Sequence, residues 1–190
     1  DIEILDGNSP TLLQFLSEEV EDKSFGWILS NADIRKTLMD KMAKLDHVTH
    51  IAPATVKDFT ITDSHAEVLL DDSKTLTAKL VIGADGRQSS VRDFMDVHVR
   101  GHDYHQSAVV CFIKHENPHE YKAIEHFWPE GPFAILPMND DEKGKHRSSL
   151  VFTEHGKART SLMDLSDEAF LQEVQSRFPE FYGRIKVIDN

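Results

Sequence analysis

The sequence predicts a mixed α/β fold, an α/β segment over roughly residues 30–100 followed by an antiparallel β-sheet. Two observations carry this. Helical and strand periodicities alternate through the first hundred residues and end in a continuous apolar run, Leu80-Val81-Ile82-Gly83-Ala84. Beyond it, four strand-like segments follow one another with no helical pattern between them, and strands joined by short loops pair antiparallel.

Residues 1–29 alternate apolar and polar positions, with a turn signal at Gly7-Asn8 and a second glycine at Gly26, and read as strands or extended connections. Ser30 is placed to cap a helix, with Asp33 three residues on and Ile34, Leu38, Met42 and Leu45 on one face. A short strand is expected at Val48–Ile51. Thr55–Thr62 and His65–Leu70 form a hairpin about Thr62-Asp63-Ser64, and Asp71-Asp72-Ser73 turns the chain into a strand from Leu76 to Ala84. The run Leu80–Ala84 is apolar at every position, the pattern of a strand buried on both faces in a parallel sheet. Ser89 or Ser90 then caps a short helix reaching Met95. The four later strands are Tyr104–Lys114, Tyr121–Trp128, Phe133–Met138 and Ser148–Glu154. A last helix spans 166–178, capped by Ser166 and lined by Phe170, Leu171, Val174 and Phe178.

Composition narrows the functions. The chain has 190 residues with 33 acidic against 21 basic side chains, a formal charge of -12. Nucleic-acid binding requires a basic surface to displace counterions, so it is not expected. The lone Cys111 excludes an internal disulfide and fits a reducing compartment, the cytoplasm. No run reaches the roughly 20 apolar residues that span a bilayer, which leaves peripheral contact with an inner membrane as the membrane role still open. Asp1 stands where a Met would begin a protein, and both ends interrupt strand-like segments, Ile2–Leu5 and Ile185–Ile188. The chain is expected to be an internal piece of a longer protein.

Gly83-Ala84-Asp85-Gly86-Arg87, with Ser89, Ser90 and Arg92 just after, carries the densest chemistry. Glycines let backbone approach a ligand closely. Asp85 can accept hydrogen bonds from ribose hydroxyls or backbone amides, and arginines can face phosphates. The bland alternative is a strand-to-helix turn whose Asp satisfies nearby amides. This run resembles the second motif of flavin-dependent aromatic hydroxylases. Two further stretches are similar to the ubiquinone-biosynthesis hydroxylases within that p-hydroxybenzoate hydroxylase-like superfamily. One combines Glu125, Phe127, Pro129, Gly131-Pro132, Ala134 and Leu136-Pro137 with Ser149-Leu150-Val151-Phe152-Thr153, where Phe152 stands in the family's usual Trp position. The other is Phe25-Gly26-Trp27-Ile28 with Asn31, Ile34-Arg35 and Leu38.

The resemblance implies a monooxygenase with an interrupted FAD domain and a sheet-based substrate domain. Residues 1–29 would hold the first strands of the substrate domain and the entry to the FAD domain, and 30–100 a partial FAD-binding domain. Residues 101–160 would form the antiparallel substrate sheet, and 161–190 the C-terminal helix of the piece. FAD would be the cofactor and NAD(P)H the co-substrate, with oxygen supplying the hydroxyl group placed on a polyprenylated phenol. Arg35, Asp85, Gly86 and Arg87 would border the cofactor; Phe127, Trp128, Phe133 and Pro137 would line the substrate pocket. Trp27 is a further aromatic that could line a pocket for a ring with a prenyl tail, and strand alternation sets Phe127 and Trp128 on opposite faces, so one of those two is expected there. Other enzymes of ubiquinone biosynthesis would be partners. No Gly-x-Gly-x-x-Gly occurs, nor the family's later Gly-Asp and Ala-Ala-His motif. The piece alone is therefore expected to bind FAD weakly and to be inactive, and no residue is assigned as catalytic. A hydroxylase of another small aromatic, or a non-catalytic module binding a small molecule or prenyl chain, are the alternatives.

Eleven histidines invite a metal, above all His98, His102 and His105, or His115 with His119. Their spacing does not supply a fixed set of three or four ligands, and no metal is expected. No Gly-x-Ser-x-Gly elbow supports hydrolysis. Asn139–Arg147 carries no apolar residue and reads as a solvated hairpin loop.

Overall fold

The computed structural model describes residues 1–10, 12–20, 23–155, 162 and 164–188. They divide into two compact units, Asp1–Asn31 with Asp103–Asn190, and Ala32–His102.

The first unit is built on a seven-stranded sheet. Its strands are β1 (Ile2–Asp6), β2 (Leu12–Phe15), β6 (Gln106–His115), β7 (Ala123–Trp128), β8 (Gly131–Met138), β9 (His146–His155) and β10 (Ile185–Ile188), in the order β10-β6-β9-β8-β7-β1-β2. The four expected strands are present and pair antiparallel, β6 with β9, β9 with β8 and β8 with β7. β1 lies parallel to β7. A parallel neighbour needs a long crossover, and the whole second unit lies between these two strands in sequence. The expected boundary at 160/161, and Asn190, fall outside the described residues.

Register assigns the faces, because successive side chains point to opposite sides of a strand. Ile113 of β6, Leu150 and Phe152 of β9, Phe133 and Ile135 of β8 and Ile124 of β7 share one face. That face is covered by α3 (Asp167–Arg177) and the turn after it, through Val174, Phe178 and Tyr182, and forms the core. Ser166 caps α3 by accepting from the Ala169 amide, as expected. The other face carries Val110, Val151, Ala134, Glu125 and Ile4 in one row across five strands. We call it the open face; Val110 and Phe127 on it are exposed.

The second unit holds α1 (Asn31–Met42), a three-stranded antiparallel sheet of β3 (Val56–Ile61), β4 (Ala66–Leu70) and β5 (Thr75–Ala78), and α2 (Ser90–Phe94). The hairpin forms where expected. Two expectations are corrected. Val48–Ile51 is not a strand, and the strand expected from Leu76 to Ala84 ends at Ala78. A strand needs neighbours for its amides and cover for its faces. No described strand pairs with Leu80–Ala84, and Leu80 and Ile82 stand 72% and 78% exposed. The apolar stripe of α1 is likewise uncovered, with no buried residue. No helix of the described residues is long and apolar enough to cross a membrane.

Candidate functional site

A cavity of about 560 Å³ lies at one end of the open face. Ile2, Ala123, Leu136 and Met138 form its floor, and Phe25, Gly26, Trp27 and Ile28 run past it. The volume falls in the range that takes a drug-sized ligand, with mostly apolar walls. Trp27 stands 81% exposed at this cavity, a large aromatic surface left in water beside apolar walls. Asp1 is held there by Ser17, whose amide and hydroxyl each donate to its carboxylate at 2.9 Å.

Glu125 lies on the same face as the cavity floor, two residues along β7 from Ala123. It is in register with Ile4 on one side and Ala134 on the other, so its row is otherwise apolar. No described residue gives it a hydrogen bond or an ion pair. Burial pushes its carboxyl above the ordinary glutamate range.

The Gly83–Arg87 run forms a self-contained turn. The Asp85 carboxylate accepts from the Ser89 hydroxyl at 2.5 Å, the Ser90 amide at 2.7 Å, the Ser90 hydroxyl at 3.1 Å and the Val91 amide at 3.3 Å. Ser89 in turn caps α2 by accepting from the Arg92 amide. Oδ1 takes one of these donors and Oδ2 the other three, so Oδ1 keeps a lone pair. The Ser89 hydroxyl bond is the main cause that holds Asp85 down at about 2. A side chain at Gly83 would meet Val91 at 2.8 Å, so glycine is required there for the run to pack on α2. Gly86 has φ +87 with open space around it. Replacing Asp85 by alanine is expected to fray α2, read as faster amide exchange across Ser90–Phe94 with the seven-stranded sheet unchanged. Because the folded pKa is depressed, this contribution is complete above about pH 4 and lost as pH falls through about 2.

The FAD implied by the resemblance needs cations for its phosphates and backbone that approaches closely. The donor chemistry fits: Arg35 on α1 and Arg87 in the turn are exposed guanidinium groups with no ion-pair partner among the described residues. Gly86 leaves its turn unobstructed. Asp85 spends most of its acceptor capacity on its own turn and keeps one lone pair on Oδ1. It shapes the turn from within.

The four residues expected around the substrate are separated. Only Pro137 of the four lines the cavity. Phe133 is 0% exposed in the core, packed edge-on against Phe152 and Phe178, because its register puts it on the covered face. Trp128 shares that face, packs against the core and lies tilted against His126, with ring centres 4.1 Å apart. Phe127 is the member of the pair on the open face, 44% exposed. Periodicity and motif chemistry do not single out Glu125 as a solitary carboxylate, and its place in a family-like segment is the only signal the sequence offers for it. Of the Phe25–Ile28 wall the sequence offers Trp27, as an aromatic that could line a pocket.

Among the described residues no group of three or more His, Cys, Asp or Glu could hold a metal ion. His115 and His119 are instead committed to backbone and serine partners. A second cavity, about 460 Å³ at the β10 edge, is lined by Lys114, Lys145, Arg184 and Lys186. Lys114 is paired with Asp141 at 2.5 Å and Arg184 with Glu116 at 2.7 Å. The Asn139–Arg147 loop is organised by that same Asp141, which accepts from the Lys143 and Lys145 amides.

A profile described as FAD binding domain matches residues 28–183. Ubiquinone hydroxylase UbiL of Rhodospirillum rubrum is 35% identical over 188 residues, 99% of this chain and 42% of that protein. The 3-demethoxyubiquinol 3-hydroxylase of Escherichia coli is 26% identical over 171 residues, 90% of this chain and 42% of that protein. The chain thus spans less than half the length of these curated relatives. Among solved structures, pqsL of Pseudomonas aeruginosa, a probable FAD-dependent monooxygenase, superposes with a TM-score of 0.70 at 18% identity, over 99% of this chain and 54% of that one. At that identity the likeness concerns the fold.

Proposed function

The chain belongs to the FAD binding domain family, among the FAD-dependent hydroxylases of ubiquinone biosynthesis, and from that premise we propose that it is part of a monooxygenase acting on the aromatic ring of a polyprenylated phenol. The observation that carries this reading is the 560 Å³ apolar cavity on the open sheet face, walled by the family-like Phe25–Ile28 and Leu136–Pro137 segments. The sheet unit is the substrate wall. The unit Ala32–His102 is one flank of the cofactor domain, and its uncovered Leu80, Ile82 and α1 stripe are surfaces for the remainder of that domain.

When bound, FAD reduced by NAD(P)H supplies the activated oxygen. The residues of this chain bind and orient. Arg35 and Arg87 face phosphate oxygens, Asp85 and Ser89 hold the turn that presents Arg87, and the apolar floor keeps water from the ring. In this proposal the strand–turn–helix that cradles the pyrophosphate belongs to sequence outside these 190 residues, which alone bind FAD weakly and do not turn over. Peripheral contact with a membrane, from which a prenylated phenol would be drawn, and contact with other enzymes of the pathway are part of the same proposal.

The test is FAD titration of the full-length protein and of the 190-residue chain, followed by flavin fluorescence. Tight binding is expected only for the full-length protein. Arg35→Ala and Arg87→Ala should each weaken it roughly ten- to a hundredfold, the loss of a charge-assisted hydrogen bond. Equal affinity of the short chain would mean that the pyrophosphate site is wrongly placed. No FAD binding by either would favour the non-catalytic module.

A further inference from the structure

We propose that Glu125 is the group that receives the phenolic hydroxyl of the substrate, fixing the ring over the open face while the apolar tail enters the neighbouring cavity. The inference rests on the aromatic-substrate reading above and goes beyond it by assigning one residue and one contact. An unpartnered carboxylate within an apolar row is costly to desolvate, and such groups are ordinarily hydrogen-bonded or paired. Asp85 has the Ser89–Val91 turn, Asp141 has Lys114 and Glu116 has Arg184. Glu125 has no such donor among the described residues, and register explains why. Its lateral neighbours Ile4 and Ala134 are apolar, and Val151 and Val110 continue the row. When that face is covered and water leaves it, the donor must come from whatever lies on the sheet.

The chemistry selects the ligand class. A carboxylate accepts, so the partner must donate. The surrounding surface is apolar and continuous with the cavity floor at Ala123, so the donor must sit on an otherwise apolar body. A phenol with an apolar chain has that form. Two residues along a strand span about 6.7 Å, close to the length of one ring. With its hydroxyl on Glu125, the ring carries its substituent towards Ala123 and the cavity. The anchor thus decides which ring carbons face away from the sheet.

The contact can be measured without turnover. The full-length protein, loaded with FAD, is titrated by calorimetry at pH 7.5 with 4-hexylphenol and with its methyl ether, 4-hexylanisole, which cannot donate. Wild type is expected to bind the phenol roughly ten- to a hundredfold more tightly, the range of one hydrogen bond to a charged group. Glu125→Leu should bind both equally and keep its melting temperature, since leucine suits that row. Glu125→Gln, whose carbonyl still accepts, should retain a smaller preference. If both probes bind wild type with one affinity, the aromatic site stands and Glu125 is not its anchor. Discrimination by Glu125→Leu as strong as that of wild type would equally remove Glu125 from that role. If neither probe binds wild type, the substrate reading itself falls, and the role of Glu125 with it.

Discussion

Phe133→Ala is expected to destabilise the protein by about 3–5 kcal/mol, while Phe127→Ala, on the neighbouring strand, should cost under about 1 kcal/mol. Both phenylalanines stand in or beside family-like segments, and hydrophobicity does not separate them. The register does. Phe133 is opposite Phe152 across β8 and β9 and meets Phe178 from the turn after α3, so alanine would leave a void that the helix and the sheet cannot close together. Phe127 is in register with Pro132 on the open face, where water replaces the lost ring. Urea denaturation of the two variants gives the comparison directly, and the Phe133→Ala melting temperature should fall by on the order of 10 °C. Similar losses for both would show that the face assignment of β7 and β8 is wrong.

Ser148→Ala should cost about 1–3 kcal/mol. The His115 Nδ1 donates to the Asn117 carbonyl at 2.7 Å, which makes Nε2 the acceptor for the buried Ser148 hydroxyl at 3.0 Å. Alanine leaves that nitrogen without a donor inside the core. Burial pushes the His115 pKa below its usual value, and His119 and His146, with ring centres 5.8 and 6.0 Å away, add repulsion. Tyr182 closes the remaining side at 4.8 Å, and His146 is itself held by Asp140 at 3.0 Å. The unfolded chain takes up a proton near pH 6.5 that folded His115 resists. Its contribution is therefore complete above about pH 6.5 and declines as pH falls below it. Melting temperatures measured from pH 7.5 to 5 should drop, and His115→Gln should flatten the curve. An unchanged slope in His115→Gln would place the pH dependence elsewhere.

The sheet is legible in the sequence because each of its strands announces itself locally. The strand-like segments behind β6, β7, β8 and β9 and the polar Asn139–Arg147 loop between the last two all act over a few residues. The helix capped by Ser166 and the hairpin at Thr62-Asp63-Ser64 are legible for the same reason. The run Leu80–Ala84 misleads, because an apolar run specifies a buried strand only when neighbours pair with it and cover it. The motif marks Asp85 as chemically important, but whether its lone pairs face a ligand or its own turn depends on four donors brought together by folding.

By itself, the sequence determined the family, the mixed fold class and the Ser166 helix cap. These follow from short-range periodicity and motif chemistry. Only the tertiary structure decided that β1 lies parallel to β7, that Phe133 and Phe127 part company, and that Glu125 stands alone among apolar neighbours. Each of those depends on pairing between strands, much of it far apart in the chain. A shift of one residue in such pairing would move every side chain to the opposite face.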